Sequence, residues 1–270
     1  MDQYAVFGNP IAHSKSPDIH LAFAEQTQQL LSYRKHWVER GQFSLCASAF
    51  LQGDGQGFNI TVPFKEEAYA WVEELDLLAQ RAGAVNTIAL KNGKIKGYNT
   101  DGLGLVRDLT VNNQIKLEDK NILILGAGGA VRGVLEPILN KNPASITIAN
   151  RTLEKAQTLA DLFDELGHVL ACGYEQLQGH DFDLIINGTS TGLTGELPPI
   201  PGNVLRKGGA TYDMMYAQEP TAFVKWGLEH GADVALDGLG MLVEQAAEAF
   251  MIWRGMRPDT APIIKQMRIG

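Results

Sequence analysis

The sequence predicts an α/β protein made of two units, and three observations predict it. Short apolar runs alternate with helix-like stretches along the whole chain. A fresh strand, glycine turn and helix begin at 121–133, well after a first series of strands. The 270 residues are enough for two modest cores, and 45% apolar with 20% charged residues is ordinary for a globular chain.

Residues 4–8 read as a first strand, followed by a Ser/Pro loop and an amphipathic helix over about 17–29. Residues 33–38 and 58–61 read as further strands with a helix between them. Stretches 83–90 and 94–98 pair as a hairpin across Lys91-Asn92-Gly93, which carries the Asn-Gly turn signal. A second unit begins near Gly102. It runs through a strand at 121–125, a glycine turn, a helix to about 141, a strand at 145–149 and a helix at 152–166. Strands at 184–187 and 210–213 continue the series, and the proline-rich 195–202 reads as a loop. Residues 238–253 read as a strong helix stopping near Gly255, and 258–267 as a short last one. The expected division is 1–101, 102–237 and 238–270, the last helices packing back onto the first unit.

A formal net charge of −8 argues against general nucleic-acid binding, which needs basic surface. Any anionic ligand must be held by local groups. The two cysteines, Cys46 and Cys172, form no metal-like pair, so no metal site is expected and a reduced, cytoplasmic chain is the default. Met1-Asp2-Gln3-Tyr4 lacks a basic region followed by an apolar core, and no apolar run approaches membrane-spanning length. Asn59-Ile60-Thr61 and Asn187-Gly188-Thr189 fit the N-glycosylation pattern, which without a secretory signal reads as accidental.

The cofactor signal is Leu123-Ile124-Leu125-Gly126-Ala127-Gly128-Gly129-Ala130-Val131-Arg132-Gly133, a strand, a glycine turn and a helix. Gly126 permits the tight turn, Gly128 lets backbone approach a pyrophosphate, and the helix N-terminus offers unpaired N–H groups to phosphate. Val131 stands where a third small residue is usual, leaving Gly129, Ala130 and Gly133 to supply the close helix–strand contact. After the next strand comes Asn150-Arg151-Thr152, with Lys155 one turn on. An NAD site would usually carry an acid here for the ribose hydroxyl. The acid is absent, and a guanidinium suits a 2′-phosphate through charge-assisted bonds, which points to NADP(H). Thr152 as a helix cap with a solvated Arg151 is the plainer reading of the same residues.

The proton-transfer signal is spread over Asn59-Ile60-Thr61-Val62-Pro63-Phe64-Lys65, Ala84-Val85-Asn86-Thr87 and Asn99-Thr100-Asp101-Gly102. Each segment sets amides and hydroxyls beside a strand-like run, and between them they supply one lysine and one aspartate. Lys65 falls in a helix's first turn, where the dipole prefers acids, a tension that suits a group required to give and take a proton. Asp101 is placed to orient that amine, and equally placed to cap the helix after it. In His13-Ser14-Lys15-Ser16-Pro17, Ser16 reads as an N-cap with Pro17 at the first helical position. Two hydroxyls beside free N–H groups also make a carboxylate site, and Ser14 has no capping role to explain it.

These motifs, with Gly8-Asn9-Pro10, Tyr212-Asp213-Met214 through Tyr216, Asp237-Gly238 and Gln245 within Val243-Glu244-Gln245-Ala246-Ala247, follow one another in the order seen in one family. The chain resembles the NADP-dependent shikimate dehydrogenases of aromatic amino-acid biosynthesis from end to end. The resemblance implies an N-terminal substrate domain with a mostly parallel sheet and a Rossmann-like NADP-binding domain. It implies that Ser14 and Ser16 hold the substrate carboxylate, and that Thr61, Asn86, Asp101 and Gln245 bind its hydroxyls, with Tyr216 nearby. Lys65 would be the acid–base residue. Gly126, Ala127, Gly128, Gly129 and Ala130 would bind the pyrophosphate, and Asn150, Arg151, Thr152 and Lys155 the 2′-phosphate. Thr189, Met214, Gly238 and Met241 complete the implied cofactor set, the two Met residues reading equally as core packing. One departure is Leu77, where some members carry an acid, although Asp76 is adjacent. The implied partners are a small-molecule substrate and NADP(H), with neither nucleic acid nor membrane, in a monomer or homodimer. Rival readings are a quinate/shikimate dehydrogenase of relaxed choice, a catalytically silent NADP(H)-binding regulator, and a folate-linked dehydrogenase/cyclohydrolase, which the paired serines do not support.

Overall fold

The structure, a computed structural model, describes residues 1–189 and 196–269. It divides into two compact units, Met1–Gly104 with the segment from Leu242 onward, and Leu105–Met241.

The first unit opens with β1 (Asp2–Gly8), α1 (Ser16–Gln26), β2 (Leu31–Trp37), α2 (Phe43–Gln52) and β3 (Gly55–Ile60). It continues with α3 (Lys65–Trp71), β4 (Glu74–Leu75), α4 (Leu77–Ala82), β5 (Thr87–Lys91), β6 (Lys94–Tyr98) and the start of α5 (Asp101–Arg107). The sheet order is β2-β1-β3-β5-β6-β4, parallel except at β5, which runs against both neighbours. That reversal puts the N-terminal end of β5 beside the C-terminal ends of β3 and β6. The predicted hairpin is present, but its first strand begins at Thr87 rather than at 83. Residues 77–82, just before it, fold as a helix ended by Gly83 in the left-handed region at φ 62°, a conformation glycine adopts without a Cβ clash. Helix α4 and two-residue β4 went unread because neither is long enough to show a period.

Phe7 anchors one face of this sheet. It is fully buried, stacked on Phe58 at 4.4 Å between centroids, with Phe50 and Phe43 edge-on. The other face carries Tyr4, Ile19, Phe23, Tyr33 and Phe250.

The second unit contains β7 (Asn121–Leu125), α6 (Gly129–Leu139), β8 (Ser145–Ala149), α7 (Leu153–Phe163), β9 (Val169–Cys172), β10 (Phe182–Asn187), β11 (Leu205–Asp213), α8 (Ala222–Glu229) and β12 (Val234–Leu236). Its sheet is wholly parallel in the order β12-β11-β10-β7-β8-β9. Strands buried on both faces need continuous apolar runs, which is why β7 reads Asn-Ile-Leu-Ile-Leu. Counted from β7, this is the doubly wound Rossmann order, and its direction reverses between β7 and β10. In such sheets the crevice beyond the strand ends at that reversal takes the ligand. Of the predicted loop 195–202, Gly195 lies outside the described residues, and 196–202 carry no helix or strand.

Two helices close the chain, α9 (Leu239–Arg254) and α10 (Ala261–Ile269), and the residues from Leu242 on belong with the first unit. Trp253 seats α9 there, its Nε1 donating to the Ile88 carbonyl at 2.8 Å. Gly57 leaves the room for it, since a Cβ at that position would lie 2.5 Å from the indole nitrogen. Among the described residues no helix is long and apolar enough to cross a membrane.

Phe7→Ala removes the ring at the centre of the first unit's aromatic cluster, and stability should fall by about 3–5 kcal/mol. Urea unfolding followed by tryptophan fluorescence reads this directly. A loss below about 1 kcal/mol would mean the cluster is not what holds the sheet.

Candidate functional site

In the first unit, backbone bonds bring the three Asn/Thr segments to one sheet end. Ile60 N–H donates to the Asn86 carbonyl at 2.8 Å, and Asn86 N–H to that of Tyr98 at 3.0 Å. Val85 N–H donates to the Lys65 carbonyl at 2.9 Å, which ties the start of α3 to the residue before Asn86. Lys65 and Asp101, 36 positions apart, therefore meet: Lys65 Nζ donates to Asp101 Oδ2 at 2.6 Å. The other carboxylate oxygen accepts from Asn86 Nδ2 at 2.8 Å, and Asp101 N–H is held by Asn99 Oδ1 at 3.1 Å. With the lysine side chain 32% and the aspartate 15% exposed, the pair contributes at most about 1 kcal/mol to stability. What it provides is geometry. It holds an amine at the rim of the sheet with its proton-bearing end in place.

Gln245, carried by α9 two turns before Trp253, joins the cluster. Its Oε1 accepts from Asn86 Nδ2 and Thr100 Oγ1, each at 3.4 Å, and its Nε2 donates to the Leu242 carbonyl at 2.7 Å. Thr61 N–H donates to the Phe7 carbonyl at 2.9 Å, setting Thr61 just past β3, and a Cβ on Gly8 would lie 2.5 Å from its methyl.

The serines differ from expectation. Lys15, not Ser16, precedes α1 as its cap and makes no side-chain cap bond, while Ser16 is the first helical residue. Ser14 takes part of the capping work, its Oγ accepting from Ser16 N–H at 3.3 Å and donating to Ser16 Oγ at 3.2 Å. The lysine side chain has no acceptor to offer, whereas a serine hydroxyl reaches the N–H two residues on in a local turn. The two hydroxyls still share one spot.

Behind this surface lies a buried layer that sequence reading missed. Asn59, 6% exposed, donates through Nδ2 to Thr87 Oγ1 at 3.0 Å and to the Asn86 carbonyl at 3.3 Å. Its Oδ1 accepts from Tyr33 Oη at 2.7 Å and from His20 Nε2 at 3.1 Å. Since a carbonyl oxygen only accepts, His20 carries its hydrogen on Nε2. Burial lowers the His20 pKa to about 3, against which the Asn59 bond acts weakly. Tyr33 is stacked on His20, with 4.4 Å between ring centroids. One signal was available: His20 falls on the apolar face of α1, where a polar ring needs a partner. Asn59 and Asn187, at 6% and 1% exposure, are both sealed from any glycosylation machinery.

In the second unit the glycine turn sits at the sheet's reversal point. Gly126, at φ 101°, follows β7, and a Cβ there would lie 3.2 Å from the Thr189 methyl, so the ends of β7 and β10 meet at this turn. Gly128 caps α6, and a Cβ on it would meet nothing within 4 Å. The backbone before Gly129 and Ala130 is therefore open to a pyrophosphate, and the residues present fit an NADP cradle. A tight helix–strand contact comes from Gly188, where a Cβ would lie 2.5 Å from Val131 Cγ2. Asn150 follows β8 and its Nδ2 donates to the Thr152 carbonyl at 2.8 Å. Thr152 caps α7 without a side-chain bond, and Arg151 and Lys155 are exposed cations that could hold a 2′-phosphate.

Thr189 is held by Asn187, whose Oδ1 accepts from its N–H at 3.1 Å and its hydroxyl at 2.7 Å. Asn187 Nδ2 donates to Asp213 Oδ1 at 3.2 Å, which also accepts from Met215 N–H, while Asp213 Oδ2 accepts from Thr221 Oγ1 at 2.7 Å. Met214 N–H donates to the Asn187 carbonyl, and a Cβ on Gly238 would lie 2.3 Å from the Met214 carbonyl oxygen. Thr189, Met214 and Gly238 are thus brought together. Met241, 9% exposed, packs with the unit's apolar core, as Met214 does at its edge, and Tyr216 is 37% exposed in the loop after β11. Leu77 is 76% exposed and the adjacent Asp76 caps α4, accepting from Ala79 N–H. Among the described residues no His, Cys, Asp and Glu cluster could hold a metal.

Residues 6–88 match the family described as the shikimate dehydrogenase substrate binding domain, 108–194 that of shikimate / quinate 5-dehydrogenase, and 238–268 the shikimate 5'-dehydrogenase C-terminal domain. Shikimate dehydrogenase (NADP(+)) of Alkalilimnicola ehrlichii is 54% identical, over 99% of this chain and 98% of its own. That of Nitrosococcus oceani is 56% identical, over 99% and 95%. The crystal structure of shikimate 5-dehydrogenase from Thermus thermophilus, in complex with NADP(H) and shikimate, superposes with a TM-score of 0.89 at 31% identity, covering 100% of this chain and 99% of that one.

His20 predicts a pH dependence. Unfolded, it binds a proton below about pH 6.5; folded, it does so only near pH 3, so between these values the unfolded state holds more protons and stability falls as pH falls. The loss attributable to this group is on the order of a few kcal/mol. Urea midpoints measured from pH 7 to 4 should drop less steeply for His20→Gln, which keeps an N–H for Asn59. Parallel profiles would show that His20 does not drive the acid sensitivity.

Proposed function

The chain belongs to the shikimate dehydrogenase family, and on that premise we propose how its own residues carry out the reaction. The protein catalyses the NADPH-dependent, reversible reduction of 3-dehydroshikimate to shikimate, a step toward chorismate and the aromatic amino acids. When bound, NADPH supplies the hydride that reaches the ketone carbon. Lys65 gives a proton to the ketone oxygen, so the carbonyl becomes a hydroxyl, and the neutral amine recovers its proton from solvent through its exposed side. In the reverse direction Lys65 takes the hydroxyl proton as hydride leaves.

The observation that carries this reading is the Lys65–Asp101 contact at 2.6 Å, with the second Asp101 oxygen engaged by Asn86. A carboxylate held at both oxygens cannot swing, so it orients the amine toward one position, the kind of preorganisation that raises rates without new chemistry. Ser14 and Ser16 hold the substrate carboxylate, and Thr61, Asn86, Asp101 and Gln245 its hydroxyls, with Tyr216 as a further contact. Gly126 to Ala130 receive the pyrophosphate and Asn150, Arg151, Thr152 and Lys155 the 2′-phosphate; Met214, Gly238 and Met241 line the nicotinamide, with Thr189 a further cofactor contact. Residues 1–101 act as the substrate domain and 102–237 as the NADP domain, with 238–270 completing the first. The enzyme works in the cytoplasm as a monomer or homodimer without nucleic acid, consistent with its net charge of −8. Its free cysteines fit a reducing compartment. A relaxed quinate/shikimate activity is the second reading, favoured by the description of the family that 108–194 matches.

Lys65→Ala should lower kcat by about 10²–10⁴-fold with little change in KM for shikimate. Initial rates of shikimate oxidation read this, and near-normal turnover would remove Lys65 from proton transfer. Arg151→Ala should raise KM for NADP⁺ by roughly tenfold and leave that for NAD⁺ unchanged. Running both cofactors against both shikimate and quinate also separates the two substrate readings, and equal effects on NADP⁺ and NAD⁺ would end the 2′-phosphate assignment.

A further inference from the structure

Thr87 lies in the segment that carries Asn86, yet its side chain has no part in the reaction assigned to the site. It is fully buried at the first position of β5 and cannot touch substrate. Its hydroxyl accepts from Asn59 Nδ2 at 3.0 Å and stands 2.9 Å from Asn86 Oδ1. One hydroxyl has one hydrogen. Because the Asn86 backbone carbonyl can only accept, the Asn59 atom facing it is Nδ2, and the Thr87 oxygen beside that group is an acceptor too. The Thr87 hydrogen is then free for Asn86 Oδ1 alone.

The bonds on either side run the same way. Tyr33 donates to Asn59, Asn59 to Thr87, Thr87 to Asn86, and Asn86 to Asp101 Oδ1 at 2.8 Å, while Lys65 donates to the other oxygen. His20 cannot invert the order, since its N–H also points at Asn59 Oδ1 and burial keeps the ring neutral at working pH. Each donor in such a chain polarises the next, and here every one points toward the Asp101 carboxylate. Thr87 is the link joining the Tyr33–Asn59 side of the chain to the Lys65–Asp101 side.

We propose that Thr87 is a positioning residue for the dehydrogenase reaction, its hydroxyl relaying hydrogen-bond polarity from Asn59 to Asn86 so that the Asn86 amide holds Asp101, and through it Lys65, in place. This rests on the roles given above to Lys65, Asp101 and Asn86. Valine or alanine can neither accept from Asn59 nor donate to Asn86; serine can do both.

The test is initial-rate kinetics of shikimate oxidation by the full-length enzyme with NADP⁺, for Thr87→Ala, Thr87→Ser, Asn86→Ala and the double variant Asn86→Ala/Thr87→Ala. Ser and Ala at 87 are both smaller than Thr and differ by the hydroxyl alone, so packing loss is common to both. The expected result is kcat/KM for shikimate within about threefold of wild type for Thr87→Ser and about tenfold or more lower for Thr87→Ala, with KM for NADP⁺ within about twofold throughout. The double variant should be no worse than Asn86→Ala by more than about twofold, because Thr87 acts through Asn86. Thr87→Val, of the same shape as threonine, replaces Thr87→Ala if the smaller side chain unfolds the protein. Equal rates for the alanine and serine variants, or fully additive losses in the double variant, overturn the proposal for Thr87 alone. Wild-type turnover by Asn86→Ala instead overturns the reading of the site on which it rests.

Discussion

A carboxamide sealed from water must find partners for both its hydrogens and its oxygen, and Asn86, 2% exposed, is where that requirement organises the first unit. Its oxygen takes the Thr100 N–H at 3.0 Å and the Thr87 hydroxyl, and its nitrogen serves Asp101, Thr100 and Gln245. Leaving the oxygen or either hydrogen without a partner would cost about 1–3 kcal/mol, so the groups move as a set or not at all. The reversal of β5 is what makes the arrangement possible. Were β5 parallel like its neighbours, Asn86 would sit at the opposite end of the sheet from Thr61 and Asp101.

The second unit meets the same demand with a different device. Two adjacent parallel strands, β10 and β11, end in Asn187 and Asp213, which stand in register. Burial pushes the Asp213 carboxyl up from its ordinary value, against three donors that favour the charged form. The result is a rigid polar knot under Thr189, Met214 and Gly238, placed at the point where the sheet order reverses. Rigid elements below and mobile chemistry above is the usual division of labour in such sheets.

The glycine run, its Gly126 turn and the strand before it were legible because each depends on neighbours in sequence: a tight turn, an exposed helix end, an apolar run. The three Asn/Thr segments were legible as polar groups at strand ends. Asn59 and Thr87 were quoted within those segments without a role, because a hydrogen bond between residues 28 positions apart leaves no trace in local pattern. Ser16 looked like a cap because the Ser-Pro pair is a common helix start, whereas the geometry places Lys15 there and gives Ser14 the contact. Val131 stood in the place of a small residue for a reason found 57 positions on, in the missing side chain of Gly188 (a Cβ there would meet Val131 Cγ2 at 2.5 Å).

The sequence by itself determined the class of fold, the glycine turn, the absence of an acid where an NAD site would carry one, and the supply of one amine and one carboxylate among neutral hydrogen-bonding groups. Those follow from residue type and spacing, which act over a turn or a strand. The tertiary structure alone decided that Lys65 meets Asp101 at 2.6 Å, that Asn86 faces the carboxylate through its nitrogen, and that every donor from Tyr33 to Asn86 points the same way. Such choices depend on which groups burial leaves to one another once the strands have paired, and burial is a property of the whole fold.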